Sequence, residues 1–228
     1  GPHPAEAVAG FSWARDARRL DAFVHRWTRG ADIARLLLVL QHMLREAGSV
    51  EGFFVDGWDE TAADVRGGLE SFGARATAVA AAAGGGPADA RGVGYFFPRP
   101  SGGSACKRLN LFLRWMVRRD NLDPGGWTRV RPAQLVVPLD THIIRVGSCL
   151  GLTRALTPGW KMAAEITSAL REIDPDDPIK YDFALCHLGM LQACGFSDPR
   201  GDRDCPLRGA CRPAPRTRPA SRAPSIPR

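Results

Sequence analysis

The chain holds 228 residues with a formal net charge of +7 and a pI of ≈ 9.5. Its length suits one sizeable domain or two small lobes, its 44% apolar content is that of a globular protein, and no apolar run nears the roughly 18 residues of a membrane span, so a soluble protein is expected. The basic balance favours a polyanion as partner, because each phosphate that a cation neutralises releases counterions.

Gly1-Pro2 without a Met looks like the scar of a protease cleavage, and residues 1–14 are set apart as an N-terminal segment. The spacing of Leu20, Phe23, Val24 and Trp27 predicts a helix over 15–27, stopped at Thr28-Arg29-Gly30. A second helix follows through Ile33, Leu36, Leu37, Leu40 and Leu44, with Gly48 as its stop. "SVEGFFVDG" leads to a third, around 59–72, with Leu69 and Phe72 at its apolar end. Clustered Gly and Pro over 80–103 predict a loop-rich hinge.

Helix is expected again from 104 to 118 through Leu109, Phe112, Leu113 and Met116. "RRDNLDPGGW" reads as a turn and "RPAQLVVPLD" as an extended run. Asp140 stands at the N-cap of a helix from Thr141 to Leu150, since its short carboxylate can accept from first-turn amides. "TPGWKMAAEITSALREI" and "DPIKYDFALCHLGMLQAC" supply two more helices. Period-2 alternation is almost absent, so the fold class expected is all-α, over 15–212. The Pro/Arg tail, 213–228, has the composition of a disordered segment.

Six cysteines in a chain of this size, with no secretory signal, do not read as a disulfide framework. Cys106, Cys149 and Cys186 sit in apolar helical patterns and are expected as buried thiols. Cys194, Cys205 and Cys211 form a separate group near the end. The lysines are Lys107, Lys161 and Lys180; every other basic side chain among the 31 is Arg. A Lys at 107, in "GGSACKRLNLFL", therefore raises the question of a chemistry that needs an amine.

"PLDTHIIRV", residues 138–146, resembles the V-D-T-H-x-x-R-V segment of the helix-hairpin-helix DNA glycosylase superfamily, which includes endonuclease III. "GSACKRLNLFL" is similar to the segment that precedes it there, matching at Gly103, Lys107, Asn110 and Leu113. The resemblance extends over most of 20–212, and is nearest to a bacterial branch with a long Lys-to-Asp spacing, here 33 residues, similar to the archaeal 8-oxoguanine glycosylases. It implies two helical lobes around a helix-hairpin-helix-like element with a cleft between them. It also implies Asp140 as the catalytic carboxylate and Lys107 as the nucleophile of a bifunctional DNA N-glycosylase/AP lyase. The implied substrate is duplex DNA with a damaged base, most readily 8-oxoguanine, processed by a monomer in the cytoplasm at the nucleoid.

The chemistry fits the residue types. Cleavage of an N-glycosidic bond builds positive charge on the sugar, which a carboxylate stabilises. A primary amine attacking C1′ gives an imine that permits β-elimination of the 3′ phosphate, and a guanidinium cannot do this. Backbone amides at Gly102, Gly103 and Ser104 could hold a phosphate at a helix N-terminus, although "RPSGGSA" stands in place of the family's L-P-G-V-G hairpin. Arg108, His142 and Arg145 are further candidate DNA contacts, and Trp115, Trp127 and Phe183, with Trp160, Trp13 and Phe11 behind them, are candidates to stack on an extruded base. The family's iron–sulfur loop is C-x6-C-x2-C-x5-C; here Cys194-x10-Cys205-x5-Cys211 lacks one ligand, with Asp202 in its place, so a decayed loop and no metal or cofactor are expected, with a cluster of unusual ligation or a zinc site as the alternatives. The plain readings stand beside these: Asp140 as a cap alone, Lys107 as a solvated charge, and the whole chain as a DNA-binding module without catalysis, or as a glycosylase for another modified base.

Overall fold

A computed structural model describes residues 3–83, 90–190, 205–207 and 209–210. The protein is mostly helical. Two short helices, α1 (Pro4–Ala9) and α2 (Trp13–Asp16), are followed by a 3-10 turn, Ala17–Leu20, and a small antiparallel hairpin of β1 (Val24–His25) and β2 (Thr28–Arg29). Then come α3 (Gly30–Ala47), α4 (Val50–Val55), α5 (Arg66–Ala82), α6 (Ala90–Phe96), α7 (Lys107–Val117), α8 (Thr141–Cys149), α9 (Trp160–Ile173) and α10 (Asp182–Met190).

The helix expected over 15–27 is corrected. Helical structure stops at Leu20, and the chain turns out through Arg26, at φ +54°, before returning in β2. The cause is a close backbone approach: a Cβ at position 30 would overlap the Leu20 carbonyl, so Gly30 can seat the start of α3 against the residue where a longer helix would have continued. Phe23, Val24 and Trp27, expected on an apolar helix face, are exposed instead. The third helix is corrected as well. "SVEGFFVDG" forms α4, capped by Ser49 Oγ accepting from Gly52 N at 2.9 Å, and the next helix begins at Arg66. Helix also fills much of the predicted hinge, as the end of α5 and as α6. Gly48 ends α3 in the left-handed conformation, as its position predicted.

One apolar cluster runs from Val39 and Met43 of α3, through Phe54, Leu69 and Phe72, to Leu113, Ile143, Ile166 and Leu170. The extended run 135–139 passes through it fully buried. Within it Val137 N donates to the buried Thr167 Oγ1 at 3.0 Å, and just upstream Gln134 Nε2 donates to Glu60 O and Ala62 O. This buried run delivers Asp140 to the start of α8.

Candidate active site around Lys107 and Asp140

Lys107 is the first residue of α7, and the turn before it is held from several sides. Glu70 of α5 accepts from Ser101 N at 2.9 Å and from Ser101 Oγ at 2.6 Å, contacts that lower its carboxyl pKa. Gly103 lies at φ +79°, and a Cβ on Gly159 would come within 3.1 Å of its carbonyl, so the start of α9 abuts this turn. Ser104 Oγ accepts from Cys106 N at 3.0 Å. Cys106 takes φ +49°, rare for a residue with a side chain. It is held there by full burial and a bond from Sγ to the Pro98 carbonyl, and burial pushes its thiol up to about 11. The strained residue aims α7, leaving Lys107 exposed with no hydrogen bond or ion pair among the described residues.

Asp140 caps α8 as its position predicted. Its Oδ1 accepts from His142 N at 2.9 Å and from Ile143 N at 2.8 Å, leaving Oδ2, which accepts from the Cys186 thiol of α10 at 3.2 Å. Burial first, then Asp140's hydrogen bond and charge, raise that thiol to about 11, while the Lys107 ammonium acts in the opposite direction. Asp140 thus bonds the Cys186 sulfur, and Lys107, 33 residues before Asp140 in the chain, is near enough to act electrostatically on the same thiol. Cys186, expected as a buried thiol, is half-buried and belongs to the site.

The frame that sets α7 against α10 is a buried ion network. Arg114 Nε bonds Asp123 at 3.0 Å, and Arg114 Nη1 bonds Asp182 at the start of α10. Arg118 holds Asp123 with Nη1, Asp120 at 2.9 Å and Asp177 at 2.9 Å. Asn110, Arg114 and Arg118 form one stripe on α7, among the buried Leu109, Leu113 and Val117. Charges at core-facing positions of an apolar helix were the available sequence signal for this frame, and the residues matched to the family motif included Asn110 but neither Arg114 nor Arg118.

The other sequence candidates divide. Gly102 N and Gly103 N donate to Arg99 O and Pro100 O within their own turn, so these amides are already occupied. Arg108 lays its guanidinium over the Tyr95 ring at 3.4 Å and donates to the Tyr95 carbonyl at 2.9 Å, which directs it to α6. His142 is pressed against α10, where a Cβ on Gly189 would lie 2.7 Å from its own Cβ. Its Nδ1 is buried with no hydrogen-bond partner among the described residues. Arg145 is exposed on α8. Trp127 lies in the core against Phe54 and Phe112, and Trp160, also buried, lines a concavity of ≈ 470 Å³ with Asp64 and Lys161. Trp115 is exposed two turns beyond Lys107 on α7, and Phe183 of α10 stacks on His187 at 3.9 Å. Of the tail cysteines, Cys205 is buried, whereas Cys194 and Cys211, with Asp202, lie outside the described residues, as does the segment 213–228.

No curated protein and no solved structure matches this chain. A family model described as a protein of unknown function, DUF2400, matches residues 1–191, and the chain belongs to that family.

Proposed function

We propose that the protein is a DNA repair glycosylase/AP lyase that excises a damaged base, 8-oxoguanine first among the candidates, through Lys107 and Asp140. The observation that carries this reading is a fixed carboxylate bonded to the Cys186 sulfur, with an amine that has no partner among the described residues near enough to act electrostatically on that thiol. In the reaction, the neutral amine of Lys107 attacks C1′ of an extruded nucleotide while the carboxylate of Asp140 stabilises the positive charge that develops on the sugar. The base leaves with its bonding pair and takes up a proton. Loss of a proton from nitrogen and opening of the sugar give the imine, which then allows removal of a C2′ proton and departure of the 3′ phosphate.

Exposure of Lys107 supports access by a nucleotide, and the +7 charge supports a duplex as the carrier. With Gly102 and Gly103 occupied, the first-turn amides of α7 become the preferred phosphate contact, as at other helix N-termini. A cleft between two helical lobes belongs with this reading. The test is incision of end-labelled duplexes, each with one lesion, resolved on a denaturing gel. The expected result is a β-elimination product from the 8-oxoguanine strand that Lys107→Gln abolishes. Salt-dependent binding of every duplex without incision of any would favour the non-catalytic module.

A further inference from the structure

The N-terminal end of α3 borders a cavity of ≈ 670 Å³ that none of the residues discussed as stackers lines. Its wall includes Trp27, Arg29, Asp32 and Arg35 on one side and Gly92 and Tyr95 of α6 on the other. The volume is in the range of small-molecule sites. Two other concavities, of ≈ 370 Å³ beside Phe11 and ≈ 500 Å³ between α3 and α5, carry no buried charge.

This one carries two. Arg35 is nine-tenths buried, and among the described residues its partner is Asp32, at 3.8 Å, beyond hydrogen-bond reach. A guanidinium on a cavity wall can offer its N–H donors to a ligand there. Asp32 is buried as well. Its Oδ2 accepts from Arg29 N at 2.8 Å, which leaves Oδ1 beside Arg35 and against Gly92. Any side chain at 92 would overlap Oδ1, so the glycine keeps α6 close to the carboxylate. Beside this donor–acceptor pair stands Trp27 at the hairpin tip, 83% exposed among the described residues. Tyr95 on the cavity wall also carries the guanidinium of Arg108, the residue after Lys107, which links the cavity to the start of α7.

We propose that this cavity is the base pocket, and that it takes a purine presenting a carbonyl next to an N–H along one edge. Arg35 donates to the carbonyl, Asp32 Oδ1 accepts from the N–H, and Trp27 covers the face of the ring. A flat aromatic ligand suits the exposed indole, since stacking is how proteins hold unpaired bases. The acceptor beside the donor selects the edge. Guanine presents this pattern only on its pairing edge, as O6 and N1–H, and offers two acceptors, O6 and N7, on its Hoogsteen side; oxidation at C8 converts N7 to N–H and adds a carbonyl beside it, which places a second such edge within reach of Arg35 and the Asp32 carboxylate. The same pair disfavours adenine, whose Hoogsteen edge carries an amine and no carbonyl.

The proposal rests on the glycosylase reading for the occupant being a base, but binding is measurable without catalysis. Wild-type protein would be titrated with 8-oxo-2′-deoxyguanosine and with 2′-deoxyadenosine, followed by ligand-observed NMR. Saturable binding of the first, at least about tenfold tighter than the second and weakened about tenfold or more by Trp27→Ala, is expected. Trp27 is at the surface, so that variant keeps the fold; Arg35→Lys, which retains the charge beside Asp32, is expected to lose the preference between the two nucleosides. Absence of saturable binding, equal binding of both nucleosides, or unchanged binding by Trp27→Ala would overturn the assignment. Incision that is lost in Lys107→Gln but intact in Trp27→Ala and Arg35→Lys would leave the glycosylase reading standing and remove this pocket from it.

Discussion

Replacing Asp140 by Asn separates the helix cap from the catalytic duty proposed for that carboxylate. The side chain keeps an oxygen for His142 N and Ile143 N, and Asn caps helices about as well as Asp. What disappears is the negative charge at the start of α8, about 0.3–1 kcal/mol of interaction with the helix dipole. Asp140→Ala removes the cap as well, a further loss of about 1–2 kcal/mol, and leaves the Cys186 thiol without its acceptor. Urea unfolding should therefore place the Asn variant within about 1 kcal/mol of wild type and the Ala variant about 1–3 kcal/mol below it. Single-turnover excision should fall in both to a similar extent, by roughly a hundred- to a thousandfold, the magnitude associated with one group that stabilises transition-state charge. An Asn variant that excises at close to the wild-type rate would refute the catalytic duty. An Asn variant as unstable as the Ala variant would refute the division between charge and cap.

Three further outcomes follow from other parts of the structure. Arg114→Met leaves Asp123 and Asp182 buried without their shared cation and should cost about 3–5 kcal/mol in urea unfolding, with Asp182→Asn in the same chain recovering part of it. Gly30→Ala forces a Cβ against the Leu20 backbone, and a melt should show a loss of at least about 1–3 kcal/mol, the range for overpacking. Cys186, raised to about 11, should remain a thiol at pH 8 and react slowly with iodoacetamide until the pH climbs toward that value; Asp140→Asn removes the acceptor and the charge, so the alkylation midpoint should move down, though not fully to that of a free thiol, because burial remains.

What the sequence made legible was local. An Asp followed by a helical pattern is a cap by short-range chemistry, and both amides that Asp140 accepts from lie within three residues of it. Gly48 and the helices α3, α7, α8 and α9 are of the same kind, each set by its own periodicity and its own stop. The misreadings came from contacts made at a distance. Over 15–27 the spacing of Leu20, Phe23, Val24 and Trp27 suits a helix, yet the fit of Gly30 against Leu20 breaks it, and so places Trp27 at a hairpin tip instead of in a core. The cation frame links Arg114 to Asp182, 68 positions away, and no local pattern specifies which carboxylate an arginine will meet. Cys186 was visible as an apolar helical position, but its role depends on how α10 packs on α8.

The most direct test of the central claim is covalent trapping. The full chain would be incubated with an 8-oxoguanine duplex under sodium borohydride, and the adduct digested and mapped by mass spectrometry. The account predicts a reduced protein–DNA adduct on the peptide that carries Lys107, absent from Lys107→Gln. An adduct mapped to Lys161, Lys180 or the N-terminus, or one that persists in Lys107→Gln, would contradict it.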